Sequence, residues 1–190
     1  MQNMVSQQEA LNSAATMPTI GGLHHYAYKC RDVEETRHFY EDILGLPMTH
    51  VMEVRDVKTT TGELVSFVHV FFQMGNGGYL AFFDLGDGKA PVPDPATPPF
   101  STHMALSVDG EEALMTAMQR LQDAEVEVQG PIEQENYVRS IYFWDPNGIR
   151  LELTHEIGDG KLAPDQETHD RKGREILNRW TREHRAASRT

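Results

Sequence analysis

The stretch that decides the fold is Tyr142–Glu152, which reads YFWDPNGIRLE. Its centre, 145–148, is Asp-Pro-Asn-Gly, a strong turn signal because proline fixes φ and Asn-Gly tolerates positive φ. After the turn, the apolar residues Ile149, Leu151 and Leu153 alternate with polar residues, which is the two-residue period of a strand. The stretch therefore predicts a strand, a tight turn and a second strand.

Glu152 lies on the face of this second strand opposite the leucines, because side chains alternate along a strand. A carboxylate held on a rigid strand suits a metal ligand or a catalytic base. It is equally consistent with an ordinary solvated side chain, because most glutamates are exposed. The hairpin alone does not separate these two interpretations.

An internal repeat organises the middle of the chain. A strand at 22–29 precedes a helix at 32–44, and a strand at 102–108 precedes a helix at 111–124. Each helix starts with an aspartate followed by two glutamates, which is a capping signal. Three more strands follow in each copy, at 47–56, 65–73 and 79–84, and at 125–130, 138–144 and 149–155. Halves of this size bury little core alone, so the repeat predicts one α+β domain built from paired βαβββ modules.

The repeat also aligns a second hairpin with the first. A shift of 71 residues superposes 76–77 on 147–148, because both are Asn-Gly. The same shift places Ala81 at the position of Glu152. Any site built on the last strand of each half is therefore expected to be asymmetric.

The chain divides into an N-terminal arm, one domain and a C-terminal extension. Their predicted bounds are 1–19, 20–157 (modules at about 20–86 and 101–157) and 158–190. Five prolines within 86–100 predict an extended linker or a loop over a site. A helix is predicted over 165–188, with Trp180 on its apolar side. That pattern favours packing of Trp180 against the core, and a dimer latch or an active-site lid is the alternative.

The net charge of −12 argues against nucleic acid and anionic membranes as partners, because both are negative. Residues 165–190 carry a net charge of +2, so this segment is expected to dock on the acidic remainder or on a second subunit. Cys30 is the only cysteine, which favours a reducing compartment, and we expect a cytoplasmic protein. Neither a membrane-spanning run nor a signal-peptide pattern is present.

Three residues occupy matching places on the repeat. His25 and His103 each lie on the first strand of a half, and Glu152 lies on the last strand of the second half. Two imidazoles and one carboxylate form a facial set that suits Fe(II), Mn(II) or a similar ion, with open positions for substrate and O2. The three can meet only if the halves close on each other. His24 should face away from His25 on a strand, so only one of the two can enter the site.

The chain resembles the vicinal oxygen chelate superfamily, which includes glyoxalase I, fosfomycin-modifying thiol transferases, bleomycin-resistance proteins and extradiol ring-cleaving dioxygenases. The motifs that carry the resemblance are LHHYA at 23–27, DVEETRHFYEDILGL at 32–46, HMALSVD at 103–109 and YFWDPNGIRLE at 142–152. The resemblance covers about 20–157. It implies an open barrel-like sheet around a divalent metal held by His25, His103 and Glu152, with His25 preferred to His24, and it implies a homodimer.

Within the superfamily, the hairpin motif resembles the extradiol dioxygenase branch. There Tyr142 takes the position of a tyrosine that hydrogen-bonds the bound catecholate. Glyoxalase-like members usually add a fourth ligand at the position of Ala81, which cannot coordinate, so its loss favours oxygenase or thiol-transferase chemistry. The favoured prediction is therefore a dioxygenase with Fe(II), whose substrate chelates the metal through vicinal oxygens.

Two departures from the dioxygenase pattern keep other functions open. Residues 133–135 lack the histidine expected before Tyr142, and 79–86 lacks the usual acid–base histidine. His69, Tyr137 and Arg139 are the candidate replacements. The position of His69 between two phenylalanines also suits a core histidine, and Arg139 is also a candidate anchor for an anionic group. The alternatives are a lyase, isomerase or thiol transferase using Mn(II), Ni(II) or Zn(II), and a binding protein for a flat small molecule.

Overall fold

The structure is a computed structural model that describes residues 22–94, 96–134, 137–158 and 166–187. The predicted arm at 1–19 lies outside the described residues. Among the helices that are described, none is long and apolar enough to cross a membrane.

The first half of the domain contains four strands and one helical segment. These are β1 (His25–Cys30), α1 (Val33–Arg37, continuing as a π-helix over His38–Ile43), β2 (Met48–Lys58), β3 (Leu64–Gln73) and β4 (Tyr79–Asp84). The predicted cap of α1 is present, because Oδ1 of Asp32 accepts a hydrogen bond from the Glu35 N–H at 2.8 Å. This bond satisfies one of the free N–H groups at the start of the helix.

The second half repeats the same order. Its elements are β5 (Met104–Ser107), α2 (Gly110–Asp123), β6 (Gln129–Gln134), β7 (Val138–Trp144) and β8 (Arg150–Glu156). The prediction of a strand at 125–130 is wrong at its start, because pairing with β7 begins only at Gln129. Val126 and Val128 instead pack against the core. The other predicted elements agree with the structure to within a few residues.

The two sheets have the same strand order, β1-β4-β3-β2 and β5-β8-β7-β6. In each sheet the first strand pairs in parallel with the last. Ala27 pairs with Ala81 in the first sheet, as Ala105 pairs with Glu152 in the second. The structure thus confirms the paired βαβββ modules, and it confirms that Ala81 holds the position equivalent to Glu152.

One apolar core joins the helices to one face of each sheet. Tyr40 stacks on Phe72 of the first sheet, with ring centroids 5.5 Å apart. Phe39, next to it, lies 6.2 Å from Phe143 of the second sheet. The helical segment of the first half therefore packs on both sheets, and the opposite sheet faces remain open.

The turn after β7 docks onto the first half through Asp145. Its Oδ1 accepts hydrogen bonds from the N–H groups of Asn147 and Ile149, at 2.9 and 2.7 Å. Its Oδ2 accepts the Tyr40 hydroxyl at 3.0 Å and the Asn147 amide at 3.1 Å. Four donors thus surround a carboxylate that is only 5% exposed, and one of them comes from the other half.

Asn147 adds two more bonds between the halves. Its Nδ2 donates to Oγ1 of Thr36 at 3.1 Å, and its Oδ1 accepts from the Arg31 N–H at 3.0 Å. Asn147 and Thr36 are buried. The Asp-Pro-Asn-Gly motif is therefore both a hairpin turn and a polar connection between the modules.

The proline-rich segment packs against the same turn. Gly148 has a φ of 80°, and a Cβ built on it would lie 3.1 Å from Cδ of Pro93. Both the positive φ and the close approach require glycine there. The segment ends in a short 3-10 turn, Pro99–Ser101, just before His103.

A C-terminal helix, α3 (Gln166–Ala187), confirms the predicted helical extension. The expectation that Trp180 packs on the core is wrong, because its side chain is 61% exposed. The Trp180 ring instead stacks on His184, one turn later, with centroids 3.7 Å apart. A latch or lid role for this helix stays a prediction.

Candidate metal centre

Glu152 lies in the middle of β8, on the open face of the second sheet. Leu151 and Leu153 on either side belong to the core, and Glu152 itself is only 6% exposed. The register of β7 with β8 pairs Tyr142 directly with Glu152. Directly opposed residues share a face, so the turn keeps the register that brings the tyrosine beside the carboxylate.

His103 stands beside Glu152, with its Nε2 2.9 Å from Oε2 of the carboxylate. Its Nδ1 lies 3.1 Å from the carbonyl oxygen of Phe100. Because a carbonyl oxygen only accepts, Nδ1 is the donor in this contact, and Nε2 is the nitrogen that faces the carboxylate. A positive charge, either a proton on Nε2 or a metal ion, joins two such groups at this distance. The pair therefore fits a divalent metal, and the carbonyl holds the imidazole as metal-bound histidines are held.

The hydroxyl of Tyr142 is oriented by Gln134, whose Nε2 donates to it at 2.6 Å. Burial, followed by the charge of Glu152, raises the pKa of Tyr142. The phenol therefore stays protonated near neutral pH. Its oxygen accepts from Gln134, and its own proton is directed towards Glu152, where an anionic oxygen bound beside the carboxylate would meet it.

His25 lies on β1 in the first sheet and is exposed. Its ring is 5.8 Å from that of Phe71 on β3. The described residues contain no group of three side chains that could hold a metal ion. A single chain in this conformation thus brings His103 and Glu152 together but does not bring His25 to them.

The expectation that His24 faces away from His25 is wrong. Their Nδ1 atoms are 2.8 Å apart, and the two rings meet edge to face. His24 precedes the first residue of β1, so strand alternation does not constrain its side chain. It also packs near Tyr79, with ring centroids 5.9 Å apart.

Arg139 lies on the opposite face of β7 from Tyr142, because the two are separated by an odd number of positions. It pairs with His155 across the ladder, and its guanidinium lies 3.1 Å from a carboxylate oxygen of Glu111 on α2. Arg139 therefore does not share a face with Tyr142, and its role as an anchor for an anionic group stays a prediction. His69 is buried on β3 in the first sheet and is not part of the His103–Glu152 cluster.

Two further residues, Arg150 and Gln134, belong to this face. The guanidinium carbon of Arg150 lies 4.8 Å from the centroid of the Tyr142 ring. Arg150 precedes Glu152 by two positions, so strand alternation puts both on one face, and this signal could have identified it. Gln134 lies on the edge strand β6, which pairs with β7. Its contact with Tyr142 depends on the register between these two strands, which the sequence does not give.

Comparisons with known proteins agree with this architecture. A family model described as the Glyoxalase/Bleomycin resistance protein/Dioxygenase superfamily matches residues 22–153. A glyoxylase/bleomycin resistance protein/dioxygenase domain from Frankia sp. EAN1pec has a TM-score of 0.58 and 20% identity, over 75% of this chain and 96% of that one. A glyoxalase/dioxygenase from Nostoc punctiforme has a TM-score of 0.53 and 24% identity, over 77% and 100% of the two chains.

A third similar structure holds a metal. It is a mutant of the fosfomycin resistance protein FosX from Listeria monocytogenes, in complex with Mn(II) and dihydroxypropylphosphonic acid. Its TM-score is 0.50 at 20% identity, over 71% of this chain and 92% of that one. At these identities the solved structures show a common fold. The family model, which spans most of the domain, shows that the chain belongs to the glyoxalase/bleomycin resistance protein/dioxygenase superfamily.

Proposed function

We propose that this protein is a metal-dependent enzyme that binds a small molecule through two neighbouring oxygens, and that its reaction is of the ring-cleaving dioxygenase type. The observation that carries the proposal is the buried Glu152 carboxylate, which lies 2.9 Å from Nε2 of His103. An imidazole nitrogen and a carboxylate oxygen held this close beside one rigid sheet are a donor pair that suits a divalent cation.

His25 is proposed as the third ligand, supplied by a second copy of the chain. Each of β1 and β5 is an edge strand of its sheet, so each leaves one side free for pairing. Within one chain the turn network of Asp145 holds the halves in an arrangement that leaves His25 away from His103. A homodimer in which the first sheet of one protomer faces the second sheet of the other would complete the set.

Three protein ligands would leave positions open for both substrate oxygens and a further small ligand, because Ala81 supplies none. When bound, Fe(II) would supply Lewis acidity and affinity for O2. The chain's own groups then have separate tasks. Tyr142 donates its hydrogen bond to an anionic substrate oxygen, Gln134 orients the phenol, and Arg150 attracts negative charge to the face.

A second candidate is a lyase, isomerase or thiol transferase that uses Mn(II), Ni(II) or Zn(II). The position of Arg150 favours it, because a guanidinium beside the metal face suits a phosphonate or carboxylate group. A similar fold with Mn(II) bound is consistent with this choice of metal. A non-catalytic binding protein is the third candidate, and it predicts ligand binding that a chelator leaves unchanged.

Fe(II)-loaded protein, kept under anaerobic conditions and then mixed with oxygenated catechols, should form yellow ring-opened products. A chelator should abolish the reaction, because the open coordination positions vanish with the metal. Product absorbance and oxygen uptake measure the result, with Glu152→Gln as the inactive control.

If protein with confirmed bound iron turns over none of a broad panel of catechols, the proposed dioxygenase reaction is wrong. Mn(II) or Zn(II) in protein purified under native conditions, together with activity towards thiols or hemithioacetals, would instead support the second candidate.

A further inference from the structure

A cavity of about 360 Å³ lies between the proline-rich segment and the turn end of the β7–β8 hairpin. The described residues that line it include three prolines, a tryptophan and an arginine, namely Pro93, Pro98, Pro99, Trp144 and Arg150. Small-molecule sites have volumes of about 300 to 1,000 Å³, apolar walls and a few polar groups that fix the ligand. The cavity has this size and this kind of lining, so it is a candidate binding site.

The cavity adjoins the proposed metal centre. Trp144 pairs with Arg150 across β7 and β8, two residues along the ladder from the pair that contains Glu152. Strand alternation places these side chains on the same face, and the two pairs are about 7 Å apart along the strands. Thr102, which also lines the cavity, directly precedes His103. A single small molecule can therefore reach both the metal ligands and the cavity.

The fold does not require an indole at the position of Trp144. The equivalent residue in the first half is Gln73, which pairs with Tyr79 as Trp144 pairs with Arg150. A polar side chain therefore satisfies the same strand position. The Trp144 side chain is 44% exposed, although its surface is largely apolar. An exposed indole beside three proline rings forms the flat apolar wall that suits an aromatic ligand.

Arg150 supplies a positive charge to the cavity. Its Nη2 donates to Oε1 of Gln129 at 3.1 Å, and this neutral amide is the only hydrogen-bond partner of the guanidinium among the described residues. Asp94 also lines the cavity, but its carboxylate oxygens accept from the Ala96 N–H at 2.9 Å and the Thr97 hydroxyl at 3.2 Å, within its own loop. The guanidinium thus retains donors for an anionic group, and its planar fork matches a carboxylate.

We propose that this cavity binds an aromatic carboxylate, with its ring between Trp144 and the prolines and its carboxylate on Arg150. The inference rests on the proposed function in one respect, because the aromatic acid is the remote part of the ligand whose neighbouring oxygens bind the metal. The cavity therefore defines the substrate class as a vicinal-oxygen compound joined to an aryl carboxylate. Trp144 and Arg150 determine specificity at the end of the ligand that does not react.

The test titrates 2-naphthoate into metal-free protein. The chain has only two tryptophans, so its proton–nitrogen NMR spectrum contains two indole N–H signals, and Trp180→Phe identifies that of Trp144. We expect the Trp144 signal to shift and the Trp180 signal to stay, because Trp180 lies on α3 and is not among the described residues that line the cavity.

Two variants test the roles of the indole and the guanidinium. Trp144→Ala and Arg150→Gln should each lower the affinity for 2-naphthoate at least about tenfold in calorimetric titrations, because one loses the aromatic wall and the other a charge-assisted hydrogen bond. Arg55→Gln removes the same charge from an exposed position on β2, so it is the matched control and should bind like the wild type. The neutral analogue 2-naphthalenemethanol should bind Arg150→Gln and the wild type equally.

An unshifted Trp144 signal, or an equal loss of affinity in Arg55→Gln, would overturn the proposal. A ligand that joins both parts, 4-(3,4-dihydroxyphenyl)benzoate, separates it from the proposed function. We expect this ligand to bind Mn(II)-loaded protein at least about tenfold more tightly than 2-naphthoate does, because the two contacts act together. Equal affinities, with Mn(II) confirmed bound and 2-naphthoate still shifting the Trp144 signal, would contradict the proposed function and leave the cavity as a site for aromatic carboxylates.

Discussion

Replacing Glu152 with glutamine is expected to reduce the affinity for divalent metal by more than about 100-fold. Even groups that only orient a ligand typically cost 10- to 100-fold when removed, and Glu152 would be a ligand itself. The amide cannot neutralise a cation, and of the two proposed ligands from the second half it leaves only His103. Metal content after dialysis and calorimetric titration with Mn(II) measure the change.

Glu156→Gln is the matched control. Glu156 lies on the same strand and, by alternation, on the same face, yet it is exposed. The Glu156→Gln substitution removes the same charge four residues away from Glu152, so a nonspecific charge effect would appear in both variants. The metal-free Glu152→Gln protein should melt no lower than the metal-free wild type, because the substitution removes a buried charge. Equal metal affinity in the two variants would contradict the assignment.

Replacing Asp145 with alanine is expected to lower the free energy of unfolding by about 3 kcal/mol. The substitution leaves the buried Tyr40 hydroxyl and the N–H groups of Asn147 and Ile149 without the carboxylate to which they donate. It also loosens the connection between the two halves. For a chain of this size the melting temperature should fall by about 6–12 °C, which thermal and urea denaturation would measure.

Two variants separate the parts of this effect. Tyr40→Phe removes only the hydrogen bond from Tyr40 to Asp145 and should cost about 1 kcal/mol. Asn76→Ala, in the equivalent turn of the first half, loses a single local bond to the Gly78 N–H and should cost less. If Asp145→Ala and the wild type have the same melting temperature, the turn does not connect the modules in the way that its hydrogen bonds indicate.

Much of the fold follows from periodicity and from the repeat. The two helices, the Asp32 cap, the hairpin turn and the equivalence of Ala81 with Glu152 are all visible in the sequence, because each depends on local spacing. The predicted cap of the second helix is wrong, because the Asp109 side chain makes no capping hydrogen bond. The pairing of Tyr142 with Glu152 is also local, since a tight turn sets the register of its own strands. His103 directly precedes β5, which is adjacent to the strand of Glu152, so the repeat was sufficient to associate them.

The remaining features depend on contacts that spacing does not encode. The dual role of Asp145 requires Tyr40 to lie across a packed interface, and no local pattern marks that contact. The direction of the His24 side chain does not follow from strand alternation, because His24 lies just before the first residue of β1. The choice between Arg139 and Arg150 could have been made from strand parity, since only Arg150 shares a face with Glu152. The proposed approach of His25 to His103 depends on how whole sheets associate, which a repeat does not specify.

We propose that His25 of one protomer and His103 with Glu152 of another hold one metal ion. Co-expression of His25→Ala and Glu152→Ala chains carrying different tags, followed by purification through both tags, isolates the mixed dimer. One of its two sites would combine both defects and the other would be intact, so it should bind about half as much metal as the wild-type dimer. Each single variant should bind almost none. A mixed dimer that binds no more metal than the single variants, or a wild-type chain that binds metal as a monomer, would contradict the claim.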